Sequence, residues 1–174
     1  MANYSIGSTI PDWSILYYNL VLNSIVSSLE FFFRELVLND YILDSQQKSK
    51  YYDETTGEFT SFQRYAKIRK FLQNEFKIDL ETKITPLEVE WLKYIVMIRH
   101  VLTHNGGIVD KRFMDLIGSF SQLKVAEYYS IGSQLDANHE TIEVAKTTIQ
   151  KVARIVEEEV KKMDKPEIEM LLGY

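Results

Sequence analysis

Apolar residues return every three or four positions along several long stretches of this chain, a period that a helix satisfies and a half-buried strand does not. The clearest stretch is Ile142, Ala145, Ile149, Val152, Val156, Val160 and Met163. It reads as a last helix that starts at Asp136 or Asn138 and is stopped by Pro166. A first helix reads from about Asp12 to Asn39. It follows the start signal Ser8-Thr9-Ile10-Pro11-Asp12 and carries Leu16, Leu20, Ile25, Leu29, Phe32 and Leu36 on a wide apolar face. A second covers about Thr60 to Phe76, through Phe62, Tyr65, Ile68, Phe71 and Leu72. A third opens at Thr85-Pro86-Leu87-Glu88, a capping box with proline in the first turn, and runs to His104 before Gly106-Gly107 ends it. Asp110 caps a short fourth helix over Lys111 to Ile117. Only 7 Gly and 3 Pro among 174 residues speak against a turn-rich β-sandwich. The expected fold class is therefore all-α: an antiparallel bundle of four to five helices, with a short extended piece or turn near Ala126 to Gly132. It forms a single domain over 1–174, with a mobile loop over about 41–57.

A hydrophobic share of 45% is enough for a packed core and too high for disorder. Cysteine is absent, so disulfides and thiolate metal sites are excluded, and a cytoplasmic setting is expected. Met1-Ala2-Asn3-Tyr4 brings no basic segment of the kind a secretory signal needs. The uncharged run Trp13 to Leu29 is shorter than the ~20 residues a membrane span requires, and Asn19, Asn23, Ser24, Ser27 and Ser28 interrupt it. It reads as a buried helix, and no membrane partner is expected. The net charge of −5 opposes loose attraction to nucleic acid but leaves room for a local basic cleft.

The third helix carries the chemistry. At about 100° per residue, Trp91, Ile95, Ile98 and Leu102 form its core face, with Arg99 at the edge. Lys93, Val96, Met97, His100 and His104 fall on the far side. Mixed apolar and histidine character there suggests a face covered by a partner, and so a homodimer. His100 and His104 share a face, whereas Arg99 and His104 lie about 140° apart on an ideal helix. The latter two converge only if the helix loosens at Asn105-Gly106-Gly107, or if two subunits build one site. An imidazole exchanges protons near neutral pH, and a guanidinium presents a planar fork to a phosphate. Together they suit metal-free cleavage of RNA. A histidine takes the 2′-hydroxyl proton, the arginine stabilises charge on the phosphorus oxygens, and a second copy protonates the leaving 5′-oxygen.

Arg99, the polar His100 and His104 match the Arg-x(4–6)-His signature of the HEPN superfamily. The continuation His104-Asn105-Gly106-Gly107-Ile108-Val109-Asp110-Lys111-Arg112-Phe113 is similar to bacterial HEPN proteins of defence-related or unknown role. Tyr128-Tyr129-Ser130-Ile131-Gly132 before a long helix also resembles them. The resemblance implies a HEPN-like helical bundle that dimerises through the motif helix. It further implies a metal-independent endoribonuclease leaving 2′,3′-cyclic phosphate and 5′-hydroxyl ends, in toxin–antitoxin or antiphage systems. His104 takes the catalytic role, Arg99 binds phosphate and His100 supports the site. An antitoxin protein is an implied partner. Where some HEPN toxins carry a modifiable Tyr two positions after the His, this chain has Gly106. The alternative is a catalytically inactive HEPN module that binds a partner protein or a nucleotide.

Other residues divide between a chemical and a plain role. Arg64 and Lys67, with Arg69 and Lys70, guide RNA phosphates or form a solvated helix face. Asn105 closes the helix end and is a second candidate contact to substrate. Glu30 and Glu35 read first as ordinary surface charges, with orientation of Arg99 as the alternative role. His100 and His104 have the spacing of a zinc pair but lack further ligands in the sequence, so no metal and no cofactor is expected. Phe31-Phe32-Phe33 and Trp91 read as core.

Overall fold

The computed structural model describes residues 13–38, 43–59, 62, 64–135 and 137–162, with the backbone alone at 13–15. The described residues form seven α-helices and one two-stranded hairpin. The fold is all-α, as the apolar period predicts. Five helices are longer than a turn: α1 (Trp13–Leu38), α3 (Tyr65–Phe76), α5 (Pro86–His104), α6 (Lys111–Gly118) and α7 (His139–Lys162). Two are single turns, α2 (Ser45–Lys48) and α4 (Leu80–Lys83). The start signal at Ser8 to Asp12 and the end of the last stripe at Met163 lie outside the described residues. No helix among those described is long and apolar enough to cross a membrane.

Helices α1, α5 and α7 pack against one another and hold the core between them. Helix α5 is the centre of this arrangement, with α3 and α6 against its other sides. That position corrects the expected core face. Val89, Leu92, Tyr94, Val96 and Val101 are buried alongside Ile95 and Ile98, and Trp91 is only half-buried. A one-sided stripe describes a surface helix, whereas a helix enclosed by four others buries residues nearly all round. The start of α5 is fixed as the sequence predicts. Thr85 Oγ1 accepts from the Glu88 N–H at 3.3 Å, and the Glu88 carboxylate accepts from the Thr85 N–H at 2.8 Å. Glu88 also meets Lys151 Nζ at 2.6 Å, which ties α5 to α7. Asn138, one of the two expected starts of the last helix, accepts from the Thr141 N–H at 2.9 Å.

The stretch read as a loop contains regular elements at its described residues. Asp44 and Gln47 form a reciprocal capping box around α2. Tyr52–Asp53 and Glu58–Phe59 pair as an antiparallel hairpin, with Gly57 at a positive φ of 70° in its turn. A short polar capping box with Asp in place of Ser or Thr is easily read as plain loop. Tyr51 stacks on Phe62, both meet Phe71 edge-on, Phe62 also packs at a tilt against Phe33, and the Tyr51 hydroxyl donates to the buried Glu75 at 2.6 Å. The segment is thereby seated on α1 and α3. Of the two readings for Ala126 to Gly132, extended piece or turn, the turn holds: Ala126–Tyr128 is a single 3₁₀ turn, and an extended pairing lies just beyond it, between Ile108 and Gln134.

Glu90 clamps the loop after α6. Its carboxylate accepts from the backbone N–H groups of Ser121, Gln122 and Leu123 at 2.7, 3.0 and 2.7 Å. Burial opposes its charge, but these donors outweigh that effect and pull the group down to about 2. A carboxylate depressed by folding stabilises above its ordinary value and loses that contribution as pH falls. Glu90→Ala is expected to cost about 2 kcal/mol at pH 7, after allowance for its partial exposure. In urea denaturation, the gap between wild type and variant should close between about pH 4.5 and 2. A gap that persists unchanged at pH 2 would remove the carboxylate from this account.

Candidate functional site

The site residues lie along the last two turns of α5 and the loop that follows. The helix is unbroken through His104, and Asn105 is its C-cap, the Asn105 N–H donating to the Val101 carbonyl at 3.0 Å. Gly106 and Gly107 then take positive φ values of 60° and 81°, which allows the chain to reverse direct from the helix end. The loop is stitched to the segment before α7. Val109 N–H donates to Ser133 O at 2.9 Å, and Leu135 N–H donates to Gly107 O at 2.7 Å. The helix end therefore does not loosen, and Arg99 and His104 do not converge within the chain.

Arg99 faces α1. Its Nη2 meets Glu30 Oε2 at 3.2 Å, and the other oxygen of Glu30 meets Arg34 Nη2 at 3.3 Å. The side chains of Arg99 and Glu30 are only 13% and 9% exposed, so this is a nearly dry ion pair. Phe59 of the hairpin lies under the Arg34 guanidinium at 5.1 Å and closes the cluster on one side. Arg99 Nε is buried with no hydrogen-bond partner among the described residues. Of the two carboxylates proposed to orient Arg99, Glu30 does so. Glu35 is exposed on α1.

His100 and His104 face the other way. Their ring centroids are 4.7 Å apart, as a spacing of four residues requires. His104 is exposed at the helix end, and His100 is half-buried. Burial pushes His100 below the ordinary imidazole range, and His104, Arg112 and Arg64 add to this, opposed by Asp110. Asp110 is itself engaged, accepting from the Phe113 N–H at 2.8 Å as the α6 cap and from Asn105 Nδ2 at 2.7 Å. The Asn105 side chain thus braces the loop beneath the histidines.

His100 opens onto a cleft of about 310 Å³ between the start of α3, the far side of α5 and α6. Arg64, Lys93 and Arg112 line it, with Val96, Met97 and Leu116 among its apolar walls. The far side of α5, expected to be covered by a second chain, is therefore the floor of this cleft. Arg64, a predicted substrate contact, lines the cleft, whereas Lys67 is exposed and does not. Sequence reasoning missed Lys93 and Arg112 as members of the same basic group. Lys93 stands on the same helix face as His100, and that shared face was the available signal. Among the described residues, no cluster of three or more His, Asp or Glu gathers that could hold a metal ion, so the histidine pair lacks a further ligand. Among the described residues, α1 also exposes Leu16, Tyr17, Leu20, Phe31 and Leu38, so Phe31 is not the core residue the sequence suggests. Comparison with protein-family models, with curated proteins and with solved structures finds no match to this chain.

Proposed function

We propose that this protein is a metal-independent endoribonuclease of HEPN type, acting in the cytoplasm as a homodimer. One observation carries the reading: an exposed imidazole, His104, beside a second imidazole held towards its neutral form, at the edge of a basic cleft. His104 is the general base for the ribose 2′-hydroxyl, and His100 supports it. Attack on phosphorus gives a 2′,3′-cyclic phosphate and expels a 5′-oxygen that needs a proton. The attacking and leaving oxygens stand roughly in line across phosphorus. Rings 4.7 Å apart on one helix face leave no room for a phosphate between them, so the pair cannot serve both ends. The acid comes from a second copy, which also brings an Arg99 to the opposite side of the same phosphate. A toxin or antiphage role, held in check by an antitoxin protein, is the setting this chemistry fits.

A second reading is favoured by one observation. The Arg99 charge is neutralised by Glu30 within the chain, as it would be in a catalytically silent HEPN module that binds a nucleotide or a partner protein. Incubation of single-stranded RNA with the protein in EDTA separates the two. The nuclease reading expects fragments with cyclic phosphate and 5′-hydroxyl ends from wild type, and none from the Arg99→Ala, His104→Ala double variant. Intact RNA with wild type, or equal cleavage by both proteins, would leave only the binding module.

A further inference from the structure

The cleft beside His100 has a feature that catalysis by the histidines does not require. Its walls combine apolar side chains with three cations, and no Asp or Glu lines it. The chain as a whole carries a net charge of −5, so this local reversal runs against its composition. Arg64 and Arg112 are exposed, and neither has an ion-pair partner among the described residues. Lys93 Nζ lies over the Tyr65 ring at 5.1 Å, and the Tyr65 hydroxyl donates to Glu81 at 3.0 Å, which fixes the ring as a rigid wall. A volume of about 310 Å³ is at the small end of the ~300–1,000 Å³ typical of small-molecule sites.

We propose that this cleft seats one nucleotide unit, with the base against Met97 and Leu116 and the phosphate held by Arg64, Lys93 and Arg112. A flat, largely apolar ring with an anion on one side matches an apolar floor rimmed by guanidinium groups. Only an unstacked base can enter, so the ligand is a single-stranded nucleotide or a free one, not a duplex. In the nuclease, on which this assignment rests for its substrate, a nucleotide seated here would hold the neighbouring phosphodiester near His104. The seat would thereby set the register of the strand.

The test is binding, which does not depend on cleavage. Isothermal titration would use AMP, adenosine and a single-stranded 2′-deoxy pentanucleotide that the proposed chemistry cannot cut. Wild type should bind AMP at least tenfold more tightly than adenosine. Arg64→Ala with Arg112→Ala should weaken AMP and the pentanucleotide tenfold or more, while Lys146→Ala on α7 changes neither beyond twofold. For the strand, loss of two phosphate contacts should also lower the salt slope by about 1.4. Far-ultraviolet circular dichroism of the double variant checks that these exposed substitutions leave the helices intact. AMP bound more tightly than the pentanucleotide identifies a free nucleotide as the ligand, and the reverse identifies a strand. No binding of either probe, or wild-type affinity in the double variant, overturns the assignment. Intact binding without cleavage of RNA would count against the nuclease alone. Cleavage preserved in a double variant that fails to bind would count against the cleft's part in it alone.

Discussion

Glu30→Ala should cost about 3 kcal/mol of folding stability, more than most surface or half-buried substitutions in this chain. Glu30 is the counter-ion of Arg99 in a nearly dry setting, and removing one partner of such a pair strands the other charge. Arg34 adds little, since its side chain is 42% exposed. The size of the effect comes from Arg99, whose Nε already lacks an acceptor. Replacing both partners, Glu30→Leu with Arg99→Met, should recover stability to within about 1 kcal/mol of wild type, because an apolar pair of similar volume carries no desolvation cost. Urea denaturation measures both. If Glu30→Ala loses less than about 1 kcal/mol, the Arg99 charge has another partner or more water than the structure gives it. The double variant also separates two meanings of Arg99. A strut can be replaced by an apolar pair without loss of cleavage, whereas a phosphate ligand cannot.

His104→Ala should lower RNA cleavage by about 10²- to 10⁴-fold, the range a positioned proton-transfer group supplies, with little change in stability. The side chain is exposed, and its backbone role in α5 is met equally well by alanine. The same loss in single-turnover measurements at saturating RNA would place it in the chemical step rather than in binding. Mixing Arg99→Ala chains with His104→Ala chains, after partial denaturation and refolding, then tests the shared site. Each mixed pair keeps one His104 and one Arg99, on opposite chains, around the shared phosphate, so activity should rise above that of either parent. No recovery from mixtures shown to exchange subunits would mean that one chain supplies everything, and the two-copy geometry would fail.

The helices were legible because their signals are local. Thr85, Pro86 and Glu88 mark the start of α5 within four residues, and Gly106-Gly107 mark its end. The stripe from Ile142 to Val160 needs no knowledge of what it packs against. What was not legible depends on neighbours distant in sequence. Whether Trp91 or Val96 is the more buried is decided by α3 and α6, which cover the side of α5 that its own pattern leaves undecided. The Asp44 and Gln47 box caps a single turn, too short to show a period in the sequence. For the site, His100 and His104 follow from a spacing of four. The basic cleft draws Arg64 from the N-cap of α3, Lys93 from α5 and Arg112 from α6, a juxtaposition that no pattern along one element contains. That Arg99 turns to α1 is a contact with the buried Glu30, which the sequence alone reads more readily as a surface charge.

The stitching of the turn after α5 to the strand-like approach of α7 has a mechanical meaning. His104 is at the free end of a helix, where fraying would ordinarily blur its position, yet the next few residues are buttoned onto a different part of the chain. Displacement at Ser133 or Leu135 would be transmitted through two backbone hydrogen bonds towards the imidazole. The segment joining α6 to α7 is therefore a handle by which anything gripping the protein far from its histidines could move one of them.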